Sequence, residues 1–403
     1  MFSRKALTKL IVPLVIEQFL AVLVGMADIM MVSSAGEAAV SSVALVDLIN
    51  LLILNIFAAL ATGGAVVAAQ AIGARDRERA SHIANQLIYI VFGISVVITI
   101  LVLLLKGPLL RLLFGQVEQT VMAGAISYFA ITALSYPFIA VYNGGAALFR
   151  AMGNSKVSMA ISALMNAINI AGNALCVFGL GMGVEGVAIP TVISQCVSAT
   201  LVLLCLVKSD AVYRVNLKEL HIYKEKLLQM IKIGVPAGIQ SATFSISNVL
   251  IQSTINSFGS IAMAGSTAGG NIEGFVWTAM DAFTQSTLSF TGQNYGAKKF
   301  HRITKVVWYN LGLVTVVGLV LGIGAYLVGP WVLQVYSSDP AVLRILEDGT
   351  IRSLNTGKAT ISVIVANRLF TKEIEVTPSD REPAITELHV QDKQSIYTGV
   401  VGQ

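Results

Sequence analysis

The sequence predicts an all-α polytopic membrane protein: a six-helix N-lobe, a partial three-helix C-lobe related to it by a repeat, and a small β-rich tail. Three observations carry this. Of 403 residues, 55% are hydrophobic and only 12% are charged, where soluble domains carry about 25%; the mean hydropathy is +0.76. Apolar runs of the length that crosses a bilayer, about 20 residues, follow one another over most of the chain. Residues of the first three runs also recur in the last three at a fixed offset.

The pattern predicts nine spans, near 8–32, 44–72, 85–106, 120–147, 155–179, 185–207, 234–258, 265–290 and 304–335. The first is too long for a signal-peptide core and lacks a small-residue cleavage site after it, so it is read as retained. Alternate loops carry eighteen Lys and Arg, among them Arg75, Arg77, Arg79, Lys298 and Lys299, while the intervening loops carry only Lys106 and Arg111. The positive-inside rule then puts the N-terminus in the cytoplasm and the tail outside, in an inner or plasma membrane. Because the basic residues sit in short loops, the net charge of +5 is no sign of a nucleic-acid partner. Cys176, Cys196 and Cys205 lie inside apolar runs without CxxC spacing and read as packing residues.

The domain expectation is an N-lobe at 1–207, a basic cytoplasmic linker at 208–232, a partial C-lobe at 233–346 and a β-rich fragment at 347–403. In the linker, Leu217, Leu220, Leu227, Leu228 and Ile231 have the spacing of an amphipathic helix lying on the membrane surface. A shift of 223 residues lays Pro13 on Pro236, Gln70 on Gln293, Gly73 on Gly296 and Ala74 on Ala297; a shift of 222 lays Gly107-Pro108 on Gly329-Pro330. Six spans between copies imply same-orientation repeats about an axis along the membrane normal, with a binding cavity between lobes. Counterparts of spans four to six are missing from the second copy. In their place Ala359 to Val365 and Lys372 to Val376 alternate at period two, as strands do.

No GxxxxGK[ST] loop is present to bind a nucleotide, and His82, His221, His301 and His389 lie in loops or the tail, so no enzyme or cofactor is expected. The informative polar residues are inside the spans. Glu17 and Asp28, eleven residues apart, differ by about 20° around one helix and about 16 Å along it. Buried acids at such depth persist where they meet a cavity, an ion or a partner. In the fifth span Asn166, Asn169 and Asn173 fall within about 60° of one another. Amides there either bond neighbouring helices or offer carbonyl oxygens to a hard cation. With Asn143, Thr191 and Asp28 they would form a cation site of one charge and several neutral oxygens, suited to sodium or to a proton on the carboxylate; no other metal site is read. Glu273 and Asp281, about 80° apart on one helix beside Phe275 and Trp277, suit an organic cation through charge and cation–π attraction. An aqueous vestibule without a substrate role is the other reading of that pair.

The stretches IVPLVIEQFL, GMADIMMVSSAGEAAVS, ALATGGAVVAAQAIGARD, ALFRAMGNSK, NAINIAGNAL, GVEGVAIPT, GVPAGIQ and FTGQNYGAKK, in this order, resemble the multidrug and toxic compound extrusion (MATE) family over about residues 1–346. The resemblance implies twelve spans in two six-helix lobes and cation-coupled export of amphipathic, usually cationic compounds. It implies a cation site at Asp28, Asn169 and Asn173, with Asn143 and Thr191 beside them. Many members carry an acid in the seventh span; here GVPAGIQSATFSISNVL has none. The tail resembles the end of one bacterial immunoglobulin-like repeat and the start of another, either as an extracytoplasmic module or through a joined reading frame. The function expected is a secondary antiporter that exports organic cations in exchange for sodium or protons, with Glu17, Glu273, Asp281 and Trp277 lining the substrate cavity and lipid as its surroundings. A lipid-linked polysaccharide flippase, or a non-transporting anchor for an external β-module, are the alternatives.

Overall fold

The computed structural model describes residues 4–115, 117–208, 215, 222–256 and 260–336, and six strands between 343 and 399. The chain divides into two compact units, Met1–Ala325 and Tyr326–Gln403. The described helices are α1 (Arg4–Ser33), α2 (Glu37–Gly73), α3 (Arg77–Phe114), α4 (Gln119–Ala133), α5 (Tyr136–Ala151), α6 (Ser155–Ala174), α7 (Glu185–Lys208), α8 (Lys224–Asn256), α9 (Ser260–Gly296) and α10 (Phe300–Tyr336). A π-helical turn, Leu175–Gly179, extends α6.

Six of these helices, and a seventh span made of the bent pair α4–α5, are long and apolar enough to cross a membrane. The other two expected spans are α8 and α9. At 33 and 37 residues they are long enough, but Ser, Thr, Gly, Asn and Gln dilute their apolar content. At about 1.5 Å per residue, α2, α3, α9 and α10 are longer than a hydrocarbon core of about 30 Å.

One expected span is broken. The fourth bends by 47° between α4 and α5. Pro137 is the cause: it has no N–H to donate and its ring excludes a helical carbonyl four residues back, at Ala133. The Thr99 hydroxyl of α3 lies between Ser95 O at 2.8 Å and that Ala133 carbonyl at 3.1 Å, so the freed acceptor shares a donor inside the bundle.

The repeat extends to the backbone. Arg75, after α2, and Lys298, after α9, are the described non-glycine residues with positive φ, at 62° and 55°. They are 223 positions apart. The turns around them make the same bonds: Ala74 N to Gln70 O, Arg75 N to Ile72 O and Asp76 N to Ala71 O in one copy, Ala297 N to Gln293 O, Lys298 N to Tyr295 O and Lys299 N to Asn294 O in the other. These are helix ends closed by a left-handed residue. The matched pairs are also alike in length: 30 and 33 residues for α1 and α8, 37 each for α2 and α9, 38 and 37 for α3 and α10.

The main core joins α2 through α7 around Phe57, Leu87, Phe129, Tyr136 and Leu148. A second core sets Leu7, Leu10 and Leu14 of α1 against Phe283 and Phe290 of α9 and Val306 of α10. The first helix therefore belongs to both lobes: its early turns pack on the C-lobe, and its later turns meet α6. Residues 224–232 of the expected linker are the opening turns of α8, not a separate surface helix; Leu217 and Leu220 lie outside the described residues.

In the second unit, β1 (Leu343–Ile345) pairs antiparallel with β2 (Ile351–Ser353), β3 (Gly357–Val365) with β4 (Arg368–Val376), and β5 (Leu388–Gln391) with β6 (Ile396–Gly399). The two stretches that alternate in sequence are the paired strands β3 and β4, in register from Gly357 opposite Val376 to Val365 opposite Arg368.

Candidate cation and substrate sites

Both acids of α1 turn toward α6, as their helical spacing requires. Near one end, Asn173 Nδ2 donates to Asp28 Oδ1 at 2.6 Å and to Asn169 Oδ1 at 3.2 Å. Asn169 Nδ2 donates to Thr191 Oγ1 at 3.0 Å, and that hydroxyl donates to Val187 O at 2.7 Å. Asp28, Asn173, Asn169 and Thr191 thus form one continuous run of bonds across α1, α6 and α7. Asn173 is fully buried, yet its Oδ1 has no protein partner. A buried carbonyl oxygen beside a carboxylate, left without a donor, is the acceptor a small cation requires. Asn143, on α5, forms no hydrogen bond with this group.

A second acid stands nearby. Asp47 of α2 repels Asp28 electrostatically and accepts a hydrogen bond from Tyr128. Asn50 Nδ2 donates to its Oδ1 at 3.3 Å, and Tyr136 Oη donates to Asn50 Oδ1 at 2.6 Å. Asp47 escapes the sequence reading because the apolar run of the second span begins near residue 44, which leaves this acid at a headgroup boundary. With α2 starting at Glu37 it sits nearly three turns into the helix. The signal was a lone acid in LVDLIN.

Glu17 is placed otherwise than expected. It is only 8% exposed and does not line an open cavity. Ser158 Oγ donates to its Oε2 at 2.8 Å, Tyr142 Oη to its Oε1 at 3.2 Å, and Arg150 Nη1 stands 3.7 Å from Oε1. A substrate could reach it only by displacing these partners. In the sequence Arg150 counts as a loop charge; in the structure it is the last-turn residue of α5 with a side chain 13% exposed.

In the C-lobe, Glu273 and Trp277 are exposed, Trp277 by 55%. Its ring stacks on Phe244 of α8 with centroids 5.0 Å apart and planes 13° from parallel. Asp281, one turn on, accepts from Gln285 Nε2 at 3.3 Å. The side chain of Phe275 lies outside the described residues.

The lobes meet at the end carrying the basic turns. Gln293 Nε2 of α9 donates to Ala151 O of α5 at 2.7 Å. Midway along both helices, Asn55 Nδ2 of α2 also donates to Ser245 Oγ of α8 at 3.2 Å. Gly63 lies so close to α8 that a Cβ there would stand 2.4 Å from Met230 O.

Long apolar helices, two lobes of repeated topology and buried acids beside unpaired amides define a multi-pass membrane transport fold. The chain belongs to the MatE family, whose model matches residues 13–175 and 236–349. It is 28% identical over 372 residues to the uncharacterized transporter YisQ of Bacillus subtilis, which covers 89% of this chain and 79% of that protein. It is 24% identical to the probable multidrug resistance protein NorM of Thermotoga maritima, over 85% of this chain and 74% of that one. Among solved structures, an outward-facing multidrug resistance MATE family transporter aligns with a TM-score of 0.80 at 25% identity, covering 84% of this chain and 75% of its own.

Proposed function

We propose that this protein is a secondary antiporter that exports organic cations in exchange for sodium or protons, with the basic end of the bundle in the cytoplasm. Relatives named for multidrug resistance and multidrug export support the export of small molecules. The observation that carries the coupling is the Asp28 carboxylate bonded to Asn173, whose own carbonyl oxygen is buried without a partner. One negative charge with amide and hydroxyl oxygens around it binds one monovalent cation. Asn169 and Thr191 complete the ligand set, while Asp47 adds negative potential that favours cation entry.

The C-lobe supplies the cargo side. The exposed Trp277 face, stacked on Phe244, offers an aromatic platform, and Glu273 and Asp281 on the same helix supply charge. Together they attract an amphipathic cation. Binding of the small ion at Asp28 and of the guest at α9 then compete through rocking of the lobes about their closed basic end.

The test is efflux of a fluorescent organic cation from inverted vesicles containing the full chain, under an imposed sodium or proton gradient. Asp28→Asn abolishes gradient-driven efflux if this reading is right. Efflux at the wild-type rate in that variant overturns it, and comparing the two gradients identifies the coupling ion.

A further inference from the structure

A cavity of about 20 Å³ between the lobes, lined by Thr62, Arg150, Gln285 and Ser289, has room for one water. A far larger groove, of about 440 Å³, opens beside α1 and α6 at the basic end and is lined by Thr8, Lys9, Val12, Pro13 and Lys156. Its volume is that of a small-molecule site, and among the described residues no acid lines it.

The two helices are fixed to each other at this opening. Ser155 Oγ, at the first residue of α6, donates to Leu10 O of α1 at 2.7 Å, and both residues are buried. Lys9 and Lys156 are the chain neighbours of that pair, so the bond sets both lysines at one opening. Both are exposed, and neither has an ion-pair partner among the described residues. Glu17, the acid of α1 nearest in sequence, is held by Ser158, Tyr142 and Arg150. Two like charges at one opening repel, and an anion between them offsets that repulsion. Pro13 has no N–H to give the Lys9 carbonyl four residues back, so this carbonyl can accept from a hydroxyl brought by a ligand.

Deeper in the bundle the same faces turn apolar. Lys9, Val12 and Ile16 follow one face of α1 at i, i+3 and i+7, with Val12 50% and Ile16 44% exposed. On α6, Ala160 and Leu164 follow Lys156 at spacings of four and are also exposed. Two cations at the helix ends with an apolar track running about 10 Å inward match an anionic head that carries an acyl chain. They match neither a free ion, which has no use for the track, nor an organic cation, which the lysines repel. The opening also touches both lobes. Leu7 and Leu10, on either side of Lys9, pack in the core with α9 and α10, whereas Lys156 opens α6 of the N-lobe.

We propose that this groove binds one anionic glycerophospholipid, with its phosphate between Lys9 and Lys156 and an acyl chain along Val12 and Ile16, and that the bound lipid stabilises the junction of α1 with α6. The phosphate oxygens accept from both ammonium groups, and a headgroup hydroxyl donates to the Lys9 carbonyl. The site stands apart from the antiport reading, since it requires neither the coupling ion nor transport.

The test is native mass spectrometry of the full chain in detergent, titrated with dioleoyl phosphatidylglycerol or with dioleoyl phosphatidylcholine, whose choline cation the lysines repel. Wild type should bind one phosphatidylglycerol in preference to phosphatidylcholine. A lysine near an anionic headgroup contributes about fivefold, so Lys9→Gln combined with Lys156→Gln should weaken that binding by about thirtyfold. Equal binding of the two lipids by wild type, or unchanged affinity in the double variant, overturns the site. Lys224→Gln combined with Lys305→Gln, two other exposed lysines of the basic end, should bind as wild type does. An equal loss in that control marks general attraction to a basic surface and also overturns the site. Inorganic phosphate at millimolar concentration should not displace the lipid; displacement makes this a site for a free anion and overturns the assignment to a lipid. Phosphatidylglycerol should also raise the melting temperature of wild type and not that of the Lys9 and Lys156 double variant. An equal rise in both overturns the stabilising role.

Discussion

Gly73 and Gly296 are each pressed against the other repeat's backbone. A Cβ at Gly73 would stand 1.8 Å from Gln293 O, and one at Gly296 would stand 1.8 Å from Gln70 O. The Gln-x-x-Gly pair that the sequence repeats is therefore a reciprocal contact across the axis relating the lobes. Neither glycine can accept a side chain without moving backbone, because the obstructing atom is a carbonyl oxygen and not a flexible side-chain end.

Gly73→Ala or Gly296→Ala should open the basic end. Overpacking of this kind costs about 1–3 kcal/mol, a shift of roughly five- to 150-fold in the ratio of open to closed forms. A cysteine at Ser289, buried beside the inter-lobe cavity, reports it in a background lacking Cys176, Cys196 and Cys205. Its reaction with an impermeant thiol reagent added from the basic side should accelerate in either glycine variant. Unchanged reactivity would show that the contact does not hold the lobes together.

Asn173→Ala removes the donor to Asp28 and leaves the carboxylate more weakly held. A hydrogen bond to a charged group contributes about 1.5–3 kcal/mol, so the apparent affinity for the coupling ion should fall by about ten- to hundredfold. The half-saturating ion concentration of driven efflux measures this. Asn143→Ala, which breaks no bond to Asp28, should leave that value near wild type; equal effects in both variants would argue against the assigned ligand set.

Thr99→Val keeps the shape of the side chain and deletes the hydroxyl bonded to Ala133 O at the bend. A buried carbonyl left unpaired costs about 1–3 kcal/mol. The variant should melt at a lower temperature in detergent than wild type. Pro137→Ala combined with it should recover part of the loss, because a restored N–H at residue 137 can bond Ala133 O directly. A Thr99→Val melting curve that overlays wild type would mean that the acceptor finds another partner.

Much of this arrangement could be read from local spacing. The asparagine face of α6 and the shared face of Glu17 and Asp28 depend only on helical periodicity, and the structure joins them directly. The repeat at Gln70, Gly73, Gln293 and Gly296 was visible as an offset, but its meaning as a contact required the lobes to be placed together. What could not be read is long-range. The sequence reads Glu17 as a cavity acid because its partners Tyr142, Arg150 and Ser158 are more than a hundred residues away. Asp47 escapes hydropathy because a span is started where apolar residues begin, whereas α2 starts about two turns earlier, at Glu37. The α4–α5 bend was lost because Pro137 lies in a run apolar enough to read as one span.

Trp277→Ala should weaken the cargo side without touching the ion side. The ring is exposed, stacked on Phe244 and one turn from Asp281, so its removal deletes a cation–π surface while Asp28 and its amides, on other helices, keep their bonds. Cation–π attraction contributes about 0.5–2 kcal/mol. The half-saturating concentration of a planar organic cation should therefore rise by about two- to thirtyfold, with the coupling-ion dependence unchanged. Asp281→Asn should act in the same direction on cations and have little effect on a neutral analogue of the same shape. The discriminating result is the pair of titrations: a rise in the ion requirement together with the cargo requirement would place Trp277 in the lobe movement, whereas a rise confined to the cargo marks it as part of the surface on which the guest lies.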